Sequence, residues 1–584
     1  MKLNRTATLV VASVAAMGLL TSCTAADPKP ERTAVANFPT QWEDEITIDV
    51  FDGLANYMGV QEGWFAKLVK DKFNMKLNII APNVAGGGDT LYNTRVTAGD
   101  LGDLIITDKG EQLDELVEGG LVLDASAYTD AMTNVGRFDA AVDYLNTEFD
   151  GTYAFPSQVS SIPPTKPSEG LEPTFGAYLR WDLYKEAGYP AINTLEDLLP
   201  VFEEMQKLEP TAPNGQKTYA LSLFKDWDGN MMNAVKQPIC YYGYDEVGFA
   251  LAKADGSDYQ GILDDDGAYF RTLKFYYEAN KRGLVDPDST TQNYDTVWTK
   301  YQNGQVHFAF WPWLGQAAYN TDGNMKEGRG FMLAPLADQK IFSYGAEAYG
   351  GRQIFAIGSK AEDPERIAAF IDWLFSAEGA LANNSQTQGA AGPQGLTWDV
   401  NADGEPELTE FGREVFLGGD GQVPAEWGGG SYIDGVSQLN ISAVLPTDID
   451  ESTGYPYSYK HWPTYQALVE TPLSEDWSSH MGGAATGMEY LEKNDQILVG
   501  AGASYTRPAD SSEIETLRNQ VKAIVVQYSW QMVFADSDAQ FESLKKDLMD
   551  KAAGLGYDKV LEADLDIAKK QNDARVAVAA AFSE

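Results

Sequence analysis

Between residues 46 and 120 the chain alternates short apolar strands with amphipathic helices, and this alternation limits the fold most strongly. "ITIDVF" (Ile46 to Phe51) alternates apolar and polar residues as a strand does. "EGWFAKLVKDKF" follows, with Trp64, Phe65, Leu68, Val69 and Phe73 on one helical face. "KLNIIA" reads as the next strand, and "LYNTRVTAGDLGDLIIT" as helix, turn and strand with Leu104, Ile105 and Ile106 buried. "GEQLDELVEGG" reads as a short helix that Gly119 and Gly120 stop. Strands alternating with helices imply βαβ units and a largely parallel sheet.

A second α/β region is expected from about Tyr153. "LRWDLYKEAGYP" reads as a helix closed by Gly188. "TLEDLLPVFEEMQKL" reads as a helix with Thr194 as N-cap, Asp197 at the third position and a kink at Pro200. A further helix is expected to end at Gly283, and "QVHFAFWPW" is β-prone up to Pro312. "DPERIAAFIDWLFSAEG" has the most complete signature: Asp363 caps, Pro364 opens and Gly379 closes. Residues 380–512 are rich in Gly, Pro, Trp and Tyr, and the C-terminus returns to long amphipathic helices. With 584 residues, two large lobes can each bury a core without staples.

The N-terminus reads as an address. Lys2 and Arg5 precede an apolar run from Leu9 to Leu20, too short to span a bilayer, and the run ends in Leu20-Thr21-Ser22-Cys23. Residues 1–22 are therefore read as a signal peptide. The last four residues resemble the bacterial lipobox, in which Cys23 is lipidated; an ordinary signal that happens to hold a Cys is the alternative. Residues 23–41 are expected to be the lipidated Cys and a flexible tether. Cys240 would then have no partner and reads as a small buried apolar residue. Acidic residues number 86 against 43 basic, a net charge of −43, which excludes a general nucleic-acid binder.

Catalytic signatures are missing. The sequence has no GxSxG elbow, Walker A loop, HExxH or GxGxxG after a strand, and its three histidines share no metal-ligand spacing. Among 86 carboxylates, a glycosidase pair can be neither located nor dismissed. One metal pattern occurs: Asp399, Asn401, Asp403, Glu405 and Glu410 fall in D-x-[DN]-x-[DN]-G-x5-E, spacing that suits a structural Ca²⁺. A hairpin turn around Asp403-Gly404 is the competing reading. No cofactor is required by any motif.

Thirteen Trp and 30 Tyr exceed what a core of this size needs. Trp227 ("KDWDGN"), Trp311 and Trp313 ("FWPWLG"), Trp427 ("EWGGG") and Trp462 ("KHWPTY") lie in polar or Gly-rich segments. An aromatic plate stacks on the apolar face of a sugar while polar side chains bond its hydroxyls. These five are candidate ligand residues.

The order of segments resembles extracellular solute-binding proteins of family 1, the lipoprotein receptors of ABC importers, and within them the larger Firmicutes-type subgroup with oligosaccharide receptors. "TAGDLGDLIIT" is similar to the family's "ASGDLPDII", with Gly102 for the usual Pro. "LRWDLYKEAGYPAINTLEDLLPVFEEMQK", "YYEANKRGLVDPDS", "YQNGQVHFAF" and "DPERIAAFIDWLFSAEG" are similar to further blocks in the same order. The resemblance implies an α/β, type II periplasmic-binding fold, two lobes around a ligand cleft. Lobe 1 is expected near 42–154 plus about 345–410, and lobe 2 near 155–344 plus about 411–584, with crossings near "GTYAFP" and "YGGRQIFAIGS". It implies a carbohydrate ligand, permease subunits as partners, a lipid anchor on the outer face of the cell membrane, a monomer and no catalytic residues. Arg352, near the second crossing, and Asp89, after three glycines, are added as candidate cleft residues. The same fold binding a peptide or other solute, or a glycan-degrading surface enzyme, are the alternatives.

Overall fold

A computed structural model describes residues 33–582 except 83, 85–88, 384–388, 504, 506 and 509. The signal peptide and Cys23 lie outside the described residues. β1 (Ile46–Asp52) pairs in parallel with β3 (Met75–Ile80), Ile46 opposite Met75, and with β4 (Leu104–Asp108), Val50 opposite Leu104. The short β2 (Gly59–Val60) runs antiparallel on the β3 edge. On the other side of β4 lies the antiparallel strand Gln353–Ile357, followed by β5 (Phe155–Pro156). Side chains on a strand alternate between faces. Val50, Leu104 and Ile106 therefore pack one core, while Phe51, Ile105, Ile354 and Ala356 pack a second on the opposite face. A parallel sheet covered on both faces reads as continuous apolar sequence, as β4 does.

The second lobe has one large core, built on an antiparallel sheet in which Tyr178–Arg180 lies between Phe308–Ala309 and Phe331–Leu333. Leu179 and Arg180, expected in a helix, belong to this strand, because pairing on both sides buries all three of its residues; the helix starts at Trp181. Thr194 and Asp197 form the expected capping box. Pro200 does not kink a helix midway, because the break falls before it: a 3-10 turn at Leu195–Asp197 leads into the α-helix Leu198–Leu208. Three long C-terminal helices, Ser512–Val533, Asp538–Gly554 and Tyr557–Ala581, send Val521, Val525, Trp530, Leu548 and Val560 into the same core.

The order of core residues gives three passages between lobes, at 160–174, 343–353 and 466–472. Residues 411–462, expected in the second lobe, pack Val415, Tyr432, Leu439, Val444, Tyr457 and Trp462 into the first core. The end of the expected tether is also fixed there. Val35 and Phe38 pack on the first core, and the Val35 N–H donates to the Ala127 carbonyl at 2.8 Å. The first two passages clasp each other: the Glu169 carboxylate accepts the Ser343 hydroxyl and, at 3.3 Å, the Tyr344 N–H.

Candidate functional site

Three of the tryptophans selected from sequence meet in one cluster on the second lobe. Strand Phe308–Ala309 runs out into Phe310-Trp311-Pro312-Trp313. Trp311 is 5% exposed, anchored by its Nε1–H to Gln237 Oε1 at 3.0 Å, and Trp313 stacks on it with centroids 4.5 Å apart. Trp227 approaches from the 224–228 turn, 5.5 Å from Trp313, and stacks on Tyr294 at 4.9 Å. Buried Phe224 meets Trp227 edge-on from below. The turn is held in place because Asp226 Oδ2 accepts the Tyr294 N–H and Asp228 Oδ1 accepts the Asn233 N–H. Trp227 and Trp313 remain 43% and 39% exposed. Two neighbouring indoles, braced from beneath, are thus open to water.

On the first lobe, Arg352 is exposed and ion-paired with Asp108, its Nε 2.8 Å from Oδ2. The pair lines a cavity of about 220 Å³ with Phe51, Leu54, Tyr92 and Gln112. This cavity opens at the C-terminal ends of β1 and β4, where the sheet order reverses direction about β1; ligands of open parallel sheets bind at such points. Asp52 ends β1 beside it. Its Oδ1 accepts the Leu54 and Ala55 N–H groups, its Oδ2 has no partner, and burial pushes its carboxyl up to about 7.

Other expected positions fall elsewhere. Trp462 is 2% exposed inside the first core, with its Nε1–H on the Pro456 carbonyl and its ring against Trp398. It is a packing residue, because the hairpin Ile449–Asp450/Tyr455–Pro456 and the helix Pro463–Val469 fold over it. Trp427 is half-buried on the first lobe, away from the indole cluster. Asp89 opens helix Asp89–Ala98; its side chain lies outside the described positions.

The Asp399–Glu410 loop is a hairpin, Trp398–Val400 against Pro406–Leu408. Asn401 Oδ1 accepts the Asp403 and Glu405 N–H groups, and Asp399 Oδ1 accepts Gln394 Nε2 and the Val400 N–H. Glu410 starts the next helix behind the Thr409 cap. Among the described residues, no three His, Cys, Asp or Glu side chains are grouped to hold a metal ion. Hydrogen bonds thus occupy one carboxylate oxygen at position one and the amide oxygen at position three of the pattern.

Phe224, Tyr294 and Asp52 were not selected from sequence. Tyr294 and Trp298, four residues apart at a helix start, carry a readable signal. Asp52 carries a weaker one, an acid followed by Gly at the end of an apolar strand.

No curated protein sequence matches the chain. Similar solved structures include an "HMO binding" ABC-transporter-associated solute-binding protein from Bifidobacterium longum infantis, at 15% identity and TM-score 0.53, covering 91% of this chain and 99% of that one. A second, an extracellular solute-binding protein from Bifidobacterium longum subsp. infantis, has 14% identity and TM-score 0.53 over 91% of this chain and 98% of that one. A third is the Streptococcus pneumoniae ABC-transporter substrate-binding protein FusA, as an EF-hand mutant with fructo-nystose. It has 14% identity and TM-score 0.51 over 91% of this chain and 100% of that one. The family model described as "Bacterial extracellular solute-binding protein" matches residues 59–381, more than half of the chain, and the chain belongs to that family.

Proposed function

We propose that the chain is the extracytoplasmic substrate-binding lipoprotein of an ABC importer, and that its ligand is a carbohydrate, most simply an oligosaccharide. The observation that carries this reading is the exposed Trp227–Trp313 pair, braced by Trp311, Tyr294 and Phe224. Two rigid, water-exposed indole faces suit the C–H faces of sugar rings better than an extended peptide, whose affinity comes from backbone hydrogen bonds. The ligand in this reading lies between that pair and the Arg352–Asp108 cavity of the other lobe. Touching both lobes, it favours the closed form over the open one by its differential affinity, through a hinge at the three crossings. Permease subunits would recognise the closed form. Residues 1–22 act as the signal, and acylated Cys23 holds the protein, as a monomer, at the outer face of the cell membrane. More than one acyl chain is needed for stable anchoring. The role is capture without catalysis. Two of the neighbours described above are named for carbohydrate ligands, which supports the reading.

The test is thermal unfolding of the soluble chain, starting after Cys23, against neutral and uronate oligosaccharides with Ca²⁺ or with a chelator. Ligand at 100 times Kd adds about 2.7 kcal/mol, which for a chain this long moves the midpoint by about two degrees. A rise with one glycan class, and no breakdown of that glycan, supports capture. No rise across the panel rejects the carbohydrate reading, and breakdown rejects the non-catalytic one. We read the Asp399–Glu410 loop as a turn closed by its own hydrogen bonds, so the midpoint is expected to be the same with Ca²⁺ and chelator. A Ca²⁺-dependent rise would assign it a structural ion.

A further inference from the structure

A cavity of about 610 Å³ opens on the second lobe between helices Ser512–Val533 and Asp538–Gly554 and the turn that carries Trp227. Two chain segments serve both this cavity and the indole cluster. Lys225 lines the cavity two residues before Trp227, and Thr290 lines it four residues before Tyr294. Chain geometry keeps the Cα atoms of Lys225 and Trp227 within about 7 Å of each other. The segments are also tied across the boundary: Asp226 holds the Tyr294 N–H, and Asp228 Oδ2 accepts Trp530 Nε1–H at 2.7 Å. The cavity and the indole cluster therefore flank one braced turn.

The lining has the chemistry of a sugar site. Trp530 and Phe534, one helical turn apart, hold their rings nearly parallel, 11° between planes. Gln527 and Gln531 stand exposed on the same helix at the cavity edge, four residues apart, each with amide donors and an acceptor. Gln540 Oε1 accepts the Asp536 N–H, a bond that does not use its NH2 donors. Lys225 lies 4.9 Å over the Trp530 ring. A groove between two packed helices would be sealed by a long apolar side chain at its rim, but Ala523 stands there. Trp530 is 5% exposed and backs the cavity, while half-buried Phe534 offers an apolar face edged by amides; that combination suits a ring with an apolar face and hydroxyls around it, and the volume lies in the range of ligand pockets.

We propose that this cavity is a second carbohydrate subsite, taking the sugar units of a bound oligosaccharide that run past the Trp227–Trp313 pair; the inference rests on the carbohydrate reading above. Calorimetric titration tests it, using di- to hexasaccharides of the glycan class that raises the unfolding midpoint. Wild type is compared with Q527A/Q531A, which empties the amide edge, and with A523W, which fills the cavity. The wild type is expected to gain about tenfold or more in affinity from the shortest to the longest ligand. Both variants, unfolding at the wild-type midpoint without ligand, are expected to lose that gain and bind the disaccharide unchanged. A gain that survives in both variants, or no gain in wild type, overturns the subsite and leaves the cleft reading standing. Equal weakening at all lengths also overturns it. Binding of no glycan at all removes the reading beneath it.

Discussion

Asp52 is a fully buried carboxyl at the end of β1, next to residues that line the first-lobe cavity, and its energetics give a test at the scale of one residue. Burial raises its folded pKa from 3.8 to about 7. Below 3.8 both folded and unfolded states hold the proton, and stability is complete. As pH rises the unfolded state ionises first, so stability is lost progressively until about 7. The loss is on the order of 4 kcal/mol. Asn keeps the Oδ1 acceptor that holds the Leu54 and Ala55 N–H groups. Asp52→Asn is therefore expected to raise the unfolding midpoint at pH 8 and leave it unchanged at about pH 3, below both pKa values; equal effects at both would contradict the burial argument. At this scale the sequence was informative where polar surroundings reflect real exposure. Trp227 and Trp313 sit among polar and turn-forming residues and are open to water. Trp462 sits among similar neighbours and is buried, because its ring packs on Trp398, far away in sequence, inside the first core, a contact that local composition does not encode.

Elements were legible where local chemistry decides them. Asp363 caps the helix Pro364–Leu374 by accepting the Arg366 N–H, and the Thr194–Asp197 box forms at its expected place. Terminations set by packing were missed. Gly379 reads as a helix stop, yet it lies inside a second helix, Ala377–Asn383, that turns back on the first. A Cβ there would stand 1.8 Å from the Trp373 carbonyl oxygen, backbone that cannot move aside. Gly379→Ala is thus expected to destabilise the protein by more than about 2 kcal/mol in urea unfolding. A change below about 0.5 kcal/mol would show that the two helices are not packed this closely. The Gly119-Gly120 stop, by contrast, falls where expected: Gly119 caps the helix Glu111–Glu118, and Gly120, at φ +64°, makes the left-handed turn. Leu179 and Arg180 fit a helical pattern, but strand pairing on both sides outweighs that local preference.

For the whole molecule, β/α alternation was enough to place the parallel sheet of the first lobe. The lobe membership of 411–462 was not readable, because irregular, Gly-rich sequence reveals no periodicity to connect it with one core. That segment gives the first lobe a second round of packing and, among the described residues, leaves three passages as the chain links between the two large cores. Rigid lobes on narrow connections favour hinge motion. Saturating glycan is expected to reduce the radius of gyration in small-angle X-ray scattering, whereas an unchanged radius would mean capture without closure.

The most direct measurement is the calorimetric affinity of wild type and Trp313→Ala for the glycan that raises the unfolding midpoint. Trp313 is exposed and stacks on a ring that stays anchored without it, so the fold should be retained. The expected result is a loss of about 10- to 100-fold in affinity, about 1.4–2.7 kcal/mol, with the ligand-free midpoint unchanged. Wild-type affinity in a folded Trp313→Ala variant would contradict the claim that the indole pair holds the sugar.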